Sequence, residues 1–366
     1  MKRLAAVVTL SSTLLLPPVP DLHACTTFCF DTPGGPIFAM NFDVFIPGDG
    51  LVFINHRGIA KEGFQPGTTG KVAKWVSKYG SVTFNVAGRE FAVTGMNEAG
   101  LVVSGMELKA QEYPEPDERP GVTIGSWAQY LLDTCATLDE AIAMQSVVRI
   151  EDSSAPVHYL VSDATGKCIT VEWFNGEIEI RSGADASVRA MANMPYGRST
   201  EALEIGGPRW WWSNPGQSAE RVATAHARCT SYDPAKNPDA IGYAFDTLRM
   251  VGAPHTKWSI VYNIAKRDVW YGSAASPTGK HIALASFDMS CGSPLLMLDV
   301  NAKFEGEAAP HFVPFDFETN LRFFKTLCER FELEVSPEDT MHILRLFETF
   351  DCAGVREDLK EPADAG

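Results

Sequence analysis

The chain has 366 residues, 45% of them hydrophobic, and a formal net charge of −15 at pH 7. That is enough apolar material for one large domain or two ordinary ones. The acidic balance excludes the basic footprint that a nucleic-acid partner needs, and beyond residue 24 no run reaches the about 18 consecutive apolar residues of a membrane span.

Residues 1–24 read as an export signal. Lys2 and Arg3 form the positive start, Leu4 to Leu16 the apolar run, and Ala24 the small residue before a cut. The product is expected to be periplasmic or secreted, with no membrane insertion after processing. Export makes disulfides permissible. All 8 cysteines lie beyond the cut, and none form a C-x-x-C pair. If Cys25 stays a free thiol, an odd number remains, so at least one more is unpaired. Cys328 and Cys352, on the two C-terminal helices described below, are the expected bridge.

The first residues after the cut read as strands. "CTTFCF" and "PIFAMNFD" flank a "PGG" turn, and "LVFINH" and "SVTFNVAGREFAVTG" continue the pattern. "MNEAG" turns the chain into "LVVSGMEL". "VTIGSWAQYLLDTCA" has helical spacing, and "TLDEAIAMQSV" opens with a Thr137–Glu140 capping box. Residues 156–182 read as three strands joined by turns at Asp163–Gly166 and Asn175–Gly176. "SVRAMANMP" is a further strand. Helices follow near 218–230 and 237–251, then a hairpin in "KWSIVYNIAKRDVWYGS" and a strand in "KHIALASFD". The last elements are the helices "FETNLRFFKTLCERF" and "SPEDTMHILRLFETF", the second capped by Ser336 with Pro337 at its first position. Blocks of hairpins between paired helices point to an α+β fold, with antiparallel sheets and helices outside them. There is no G-x-G-x-x-G, P-loop or G-x-S-x-G. The histidines lack metal-ligand spacing, and no cofactor is expected.

A cut after Ala24 would put a thiol and a free α-amine on one residue, Cys25. The amine's pKa of roughly 7.7–8.0 leaves much of it neutral near pH 7.5, so it can take the thiol proton and the nucleophile carries its own base. An orienting group, oxyanion donors and a pocket would still be needed. Two other readings stand beside this one. Cys25 could simply join a disulfide, or Leu22-His23-Ala24-Cys25 could be the acylation site of a lipoprotein, although His23 and the preceding "PPVP" fit that pattern poorly.

Downstream, "CTTFCFDTPGGPIFAMNFDV", "VTGMNEAGLVVSGMEL", "VRAMANMP" and "SAERVATA" occur in that order, with "KYGSV" before the turn and "TKWSIVYNI" late in the chain. This resembles the choloylglycine hydrolase and penicillin V acylase family, N-terminal-nucleophile hydrolases that cleave linear amides, from Cys25 to about Asp299. The resemblance implies a four-layer αββα sandwich over residues 25–315, leaving 316–366 as a helical C-terminal extension. It implies Cys25 as nucleophile and Asp43 as the carboxylate that orients the α-amine. Asn193 would be an oxyanion donor, and Arg221 would brace the nucleophile. It also implies a small-molecule N-acyl amide substrate, and it allows a homotetramer.

Two positions depart from the family pattern. Met40 stands where an arginine usually lies beside the thiol, three residues ahead of the aspartate. Glu107 stands where asparagine, tyrosine or tryptophan is usual, near the oxyanion. A carboxylate there would face away, pair with Arg221 or meet a cationic part of the substrate, or the backbone N–H of Glu107 would be the oxyanion donor. "RWWWS" offers Trp210, Trp211 and Trp212 as flat apolar surface for an acyl group. The expected function is an exported cysteine hydrolase of linear amides, penicillin V acylase-like or acting on other N-acyl amides, with conjugated bile salts less favoured. The departures keep a second reading open, a catalytically weakened or inactive binding protein on the same fold.

Overall fold

The computed structural model describes residues 25–44, 48–64, 71–151, 156–205, 216–330 and 335–354. The signal-like segment 1–24 and Trp210, Trp211 and Trp212 lie outside the described residues.

The chain begins with β1 (Thr26–Phe30) and β2 (Ile37–Asp43), joined by a turn in which Gly35 adopts a φ of 103°. An L side chain rarely takes that conformation. Next come β3 (Leu51–Asn55), β4 (Ile59–Glu62), β5 (Lys74–Val76), β6 (Ser81–Asn85), β7 (Ala92–Asn97), β8 (Val102–Glu107) and β9 (Gly121–Thr123). Helices α1 (Ile124–Thr134) and α2 (Leu138–Ala143) follow, and the capping box at Thr137 and Glu140 forms as its spacing predicts. The second strand block is β10 (Arg149–Glu151), β11 (Val157–Ser162), β12 (Cys168–Phe174), β13 (Glu177–Arg181) and β14 (Ala190–Ala192). Between β12 and β13, Asn175 and Gly176 both have positive φ, as a two-residue hairpin turn of this kind requires.

Helices α3 (Tyr196–Ile205), α4 (Gly216–Thr230) and α5 (Ala240–Val251) come next. They lead to β15 (Thr256–Asn263), β16 (Asp268–Ser273), β17 (Ser276–Ala283), β18 (Leu296–Asp299), β19 (Gly306–Glu307) and β20 (Val313–Pro314). The chain closes with α6 (Phe317–Arg330), α7 (Pro337–Glu348) and β21 (Asp351–Cys352). Ser336 caps α7 by accepting from the Asp339 amide.

The strands form two large sheets. One has the order β14-β1-β2-β15-β16-β17-β19, and the other β13-β12-β11-β8-β7-β6-β3-β18-β20. Small sheets β10-β9 and β21-β4-β5 sit beside them. The largest apolar cluster joins inward side chains of both sheets, such as Phe38, Met40, Val82 and Met106, and continues to Val222 of α4 and Leu248 of α5. The outer face of the second sheet, with Val103, Tyr159 and Trp173, packs on Trp127 and Leu131 of α1. The layers therefore run helix, sheet, sheet, helix. Every residue of β1 and β2 is buried, because one face meets the second sheet and the other meets α4 and α5. This explains why "CTTFCF" has no polar side.

The C-terminal helices cover the sandwich rather than standing apart from it. Phe323 of α6 packs on Leu51, Phe53 and Met297, the outward residues of β3 and β18. Leu344 and Phe347 of α7 join Ile59 and Ala87. The cysteine pairing differs from the expected one. Cys352 bonds Cys291, Cys29 bonds Cys168 across the two sheets, and Cys328 is free, as are Cys25, Cys135 and Cys229. Helical placement alone suggested Cys328, but β21 turns Cys352 away from α6 to pair beside β4.

Candidate active site

Cys25 sits at the head of β1, the strand between β14 and β2 in the first sheet. The antiparallel register sets Thr26 opposite Asn41 and Thr27 opposite Met40, so one further step brings Cys25 to the end of β2. There the Asp43 amide donates to Cys25 Sγ at 3.5 Å, and the thiol lies 3.9 Å from the Asp43 carbonyl. The hairpin thus joins the Cys25 thiol and Asp43 through local chain geometry.

Arg221 reaches the same point from α4. Its Nη1 donates to the Cys25 carbonyl at 2.5 Å and to Thr26 Oγ1 at 2.7 Å. Its Nη2 donates to Asn193 Oδ1 at 3.2 Å and to Ser218 Oγ at 2.9 Å. A planar fork with fixed donor directions can hold these four acceptors at once, and a lysine ammonium cannot. Ser218 lies three residues before Arg221, on the same helix face.

Asn193 follows β14, whose Ala192 pairs with Thr26. Its Nδ2 donates to the Glu107 carbonyl at 2.8 Å. One hydrogen of that amide is thereby used, leaving the second for another acceptor. Cys25, Asp43, Asn193, Arg221 and Glu107 are therefore brought together, from β1, β2, the end of β14, α4 and the end of β8. At Glu107 it is the carbonyl that meets Asn193, a contact the sequence reading did not foresee. Thr26 and Ser218 were also missed. Ser218 could have been found from its helical spacing to Arg221, and Thr26 from its place next to Cys25.

Met40 lies on the face of β2 that points between the sheets, with Thr27 and Ile260 as its cross-strand neighbours, and it is fully buried. The cation near the thiol comes instead from the helix side, as Arg221. Burial pushes the Cys25 thiol up to about 12, and the Asp43 carboxylate adds to this. The Asp43 amide and Arg221 pull it down, and Glu107 raises it slightly. With a peptide bond on its nitrogen, Cys25 is a protonated thiol at neutral pH.

Asp43 is fully buried, and neither carboxylate oxygen has a hydrogen-bond partner among the described residues. Burial raises its pKa from 3.8 to about 7, offset in part by Thr256 and Arg221. The Thr256 hydroxyl also donates to the Ala253 carbonyl at 2.9 Å. A buried carboxylate without a donor is rare and costly in a folded protein.

Residues 25–199 match the family of linear amide C–N hydrolases, choloylglycine hydrolase family. Penicillin V acylase of Pectobacterium atrosepticum is 24% identical, with 80% of this chain and 90% of that protein covered. The solved penicillin V acylase of Agrobacterium tumefaciens superposes with a TM-score of 0.67 at 24% identity, covering 80% of this chain and 98% of that one. A cysteine-to-alanine mutant of the conjugated bile acid hydrolase of Clostridium perfringens gives 0.60 at 14% identity, covering 80% and 96%. Both superpositions show the layered fold. The matching sequence runs from the head of β1 into α3, and over these residues the chain is similar to the choloylglycine hydrolase family of linear amide C–N hydrolases.

Proposed function

We propose that removal of residues 1–24 turns Cys25 into the catalytic residue of an exported hydrolase that cleaves N-acyl amides with an apolar acyl group. The observation that carries this is the Asp43 carboxylate, buried beside Cys25 with neither oxygen in a hydrogen bond among the described residues. A free α-amine on Cys25 brings two or three N–H donors to that end of β1 and supplies the missing partner. Two disulfides among the described cysteines suit an oxidising compartment, and they support export to the periplasm or beyond.

In this reading the neutral α-amine takes the proton from the Cys25 thiol, and Asp43 steadies the ammonium that results. The sulfur bonds the acyl carbon. The oxygen of the tetrahedral intermediate is met by the second N–H of Asn193, whose plane is fixed by Arg221 and the Glu107 carbonyl. The C–N bond then breaks, and the departing amine takes the proton held by the α-amine. Water, deprotonated by the same amine, attacks the thioester and frees the acid. Arg221 holds the Cys25 carbonyl, and with it the position of the nucleophilic residue. Both relatives at 24% identity are penicillin V acylases, which favours a phenoxyacetyl-type acyl group over a bile acid conjugate. A homotetramer is a proposal that rests on the resemblance alone.

The test has two parts. Intact mass of the exported protein should show a chain starting at unmodified Cys25, and a diacylglyceryl cysteine there would exclude the free-thiol mechanism. Penicillin V should give burst release of its amine in stoichiometric amount. Cys25→Ala should abolish turnover, and an active Cys25→Ala enzyme would end the proposal.

A further inference from the structure

The reaction just described uses neither His158 nor Glu172, yet these two groups form a buried polar pair close to the site. They sit on the inward face of the second sheet. His158 is directly opposite Met106 in the register of β11 and β8, and the Thr27 hydroxyl of β1 is 2.8 Å from Met106 Sδ. His158 Nδ1 is 3.0 Å from Glu172 Oε1. Both side chains are almost completely buried. Burying a carboxylate here is costly unless it is well bonded.

The partner that gives Glu172 a role is Tyr196. Its backbone N–H, the first of α3, donates to Glu172 Oε1 at 3.0 Å and Oε2 at 3.2 Å. A carboxylate at this end of a helix also meets the positive end of the helix dipole. The Tyr196 hydroxyl is fixed in turn by the Val188 amide at 3.0 Å. Asn193 lies three residues before Tyr196 and one after β14. Its segment is therefore tied at one end by the β14–β1 ladder and at the other by Glu172. Glu172 itself is on β12, which pairs with β11 on one side and β13 on the other, so its backbone is held on both edges.

We propose that Glu172, held in its rotamer by His158, is the positioning residue for Asn193. It clamps the start of α3 so that the Asn193 amide keeps its bonds to Glu107 and Arg221 and presents its second N–H to the oxyanion. Glu172 touches no reacting atom. It acts through three residues of backbone. The proposal rests on the reading of Asn193 as an oxyanion donor for its effect on rate, and on geometry alone for its effect on position.

The experiment uses the processed enzyme with penicillin V as probe. Asn193→Ala is expected to lower kcat by about 10²–10³-fold, the usual loss of one oxyanion donor. Glu172→Leu should lower kcat by about ten- to a hundredfold with little change in KM. Glu172→Gln, which keeps one acceptor for the Tyr196 amide, should fall between Leu and the native enzyme. In an Asn193→Ala background, Glu172→Gln and Glu172→Leu should cost less than about twofold more, because the group they position is gone. A further loss in that background as large as in the native one would mean that Glu172 supports the fold in general, and would overturn the proposal. Crystal structures of Glu172→Leu, or of Glu172→Gln if the former does not fold, read position without turnover. Asn193 should be displaced from the Glu107 carbonyl in Leu and partly so in Gln, and an unmoved Asn193 overturns the proposal. If Asn193→Ala keeps its kcat, the oxyanion reading fails, while the crystal structures still decide whether Glu172 sets the position of Asn193.

Discussion

Asp43 is the carboxylate at the site whose pKa burial raises most directly. Its folded pKa of about 7 lies above the ordinary 3.8, so the folded chain holds the proton more tightly than the unfolded one. The cost of burying the carboxylate is absent below about pH 4, grows as pH rises through the interval between the two values, and is complete above 7. Three pKa units correspond to on the order of 4 kcal/mol. In a chain that retains residues 1–24, Asp43→Asn should therefore raise stability at pH 8, and the gain should shrink toward pH 4. If, as proposed, the processed chain sets its α-amine against the carboxylate, the gain should disappear there while turnover is lost. Urea unfolding of both forms at the two pH values checks this. An equal gain in both forms would show that the α-amine is not the partner of Asp43. Met40 needs no such balance, since its buried thioether packs between the sheets without a polar group to satisfy. Arg221 is the cation whose charge lowers the pKa of the Cys25 thiol.

At the scale of elements, the site is a meeting of five ends. β1, β2, β8 and β14 bring backbone groups, and α4 brings the guanidinium that ties them. The four donor contacts of Arg221 span residues 25, 26, 193 and 218. A lysine in its place has one ammonium and cannot reach both pairs. Arg221→Lys is expected to lower kcat by at least about tenfold with the fold retained, measured by steady-state kinetics beside circular dichroism. Full activity in Arg221→Lys would show that charge alone is needed. The hairpin from β1 to β2 was legible from "CTTFCF", the "PGG" turn and "NFD", because a two-strand register is a local property of sequence. So were the capping box at Thr137 and the Ser336 cap, which depend on residues three apart. The bridge expected between Cys328 and Cys352 was not legible, because pairing depends on where β21 and the Cys291 loop meet, and no periodicity encodes that.

For the molecule as a whole, the C-terminal extension is part of the outer helical layer. Besides the contacts of α6 and α7 with β3, β4 and β18, the buried Arg89 donates to the Phe347 carbonyl at 2.5 Å, and Cys352 is bonded to Cys291. Next to Arg89, Lys61 is buried with Glu90 at 2.9 Å and Asp133 at 2.9 Å, so the same end of the sandwich holds charges that must stay covered. A protein limited to residues 25–315 should lose these covers and be recovered mostly insoluble or with exposed apolar surface. Full-length Cys352→Ala is the control. Breaking a 61-residue loop closure costs about 4 kcal/mol at most, and that variant should remain soluble. Soluble yield and dye binding decide the matter, and a folded, active 25–315 would show the extension to be dispensable.

The strand and helix patterns, the hairpin from β1 to β2 and the order of motifs that resembles the family were all legible in the amino-acid sequence. These are consequences of alternation, turn residues and short spacing, all of which act over a few residues. Only the tertiary structure decided that Arg221, 196 residues from Cys25, holds its carbonyl, that Asn193 bonds Glu107 across the sheets, and that Glu172 stands under the start of α3. It also decided that Asp43 is fully buried, with no hydrogen-bond partner for its carboxylate among the described residues. Burial and long-range hydrogen bonds depend on how the layers stack, and stacking is a property of the whole chain that no local window contains.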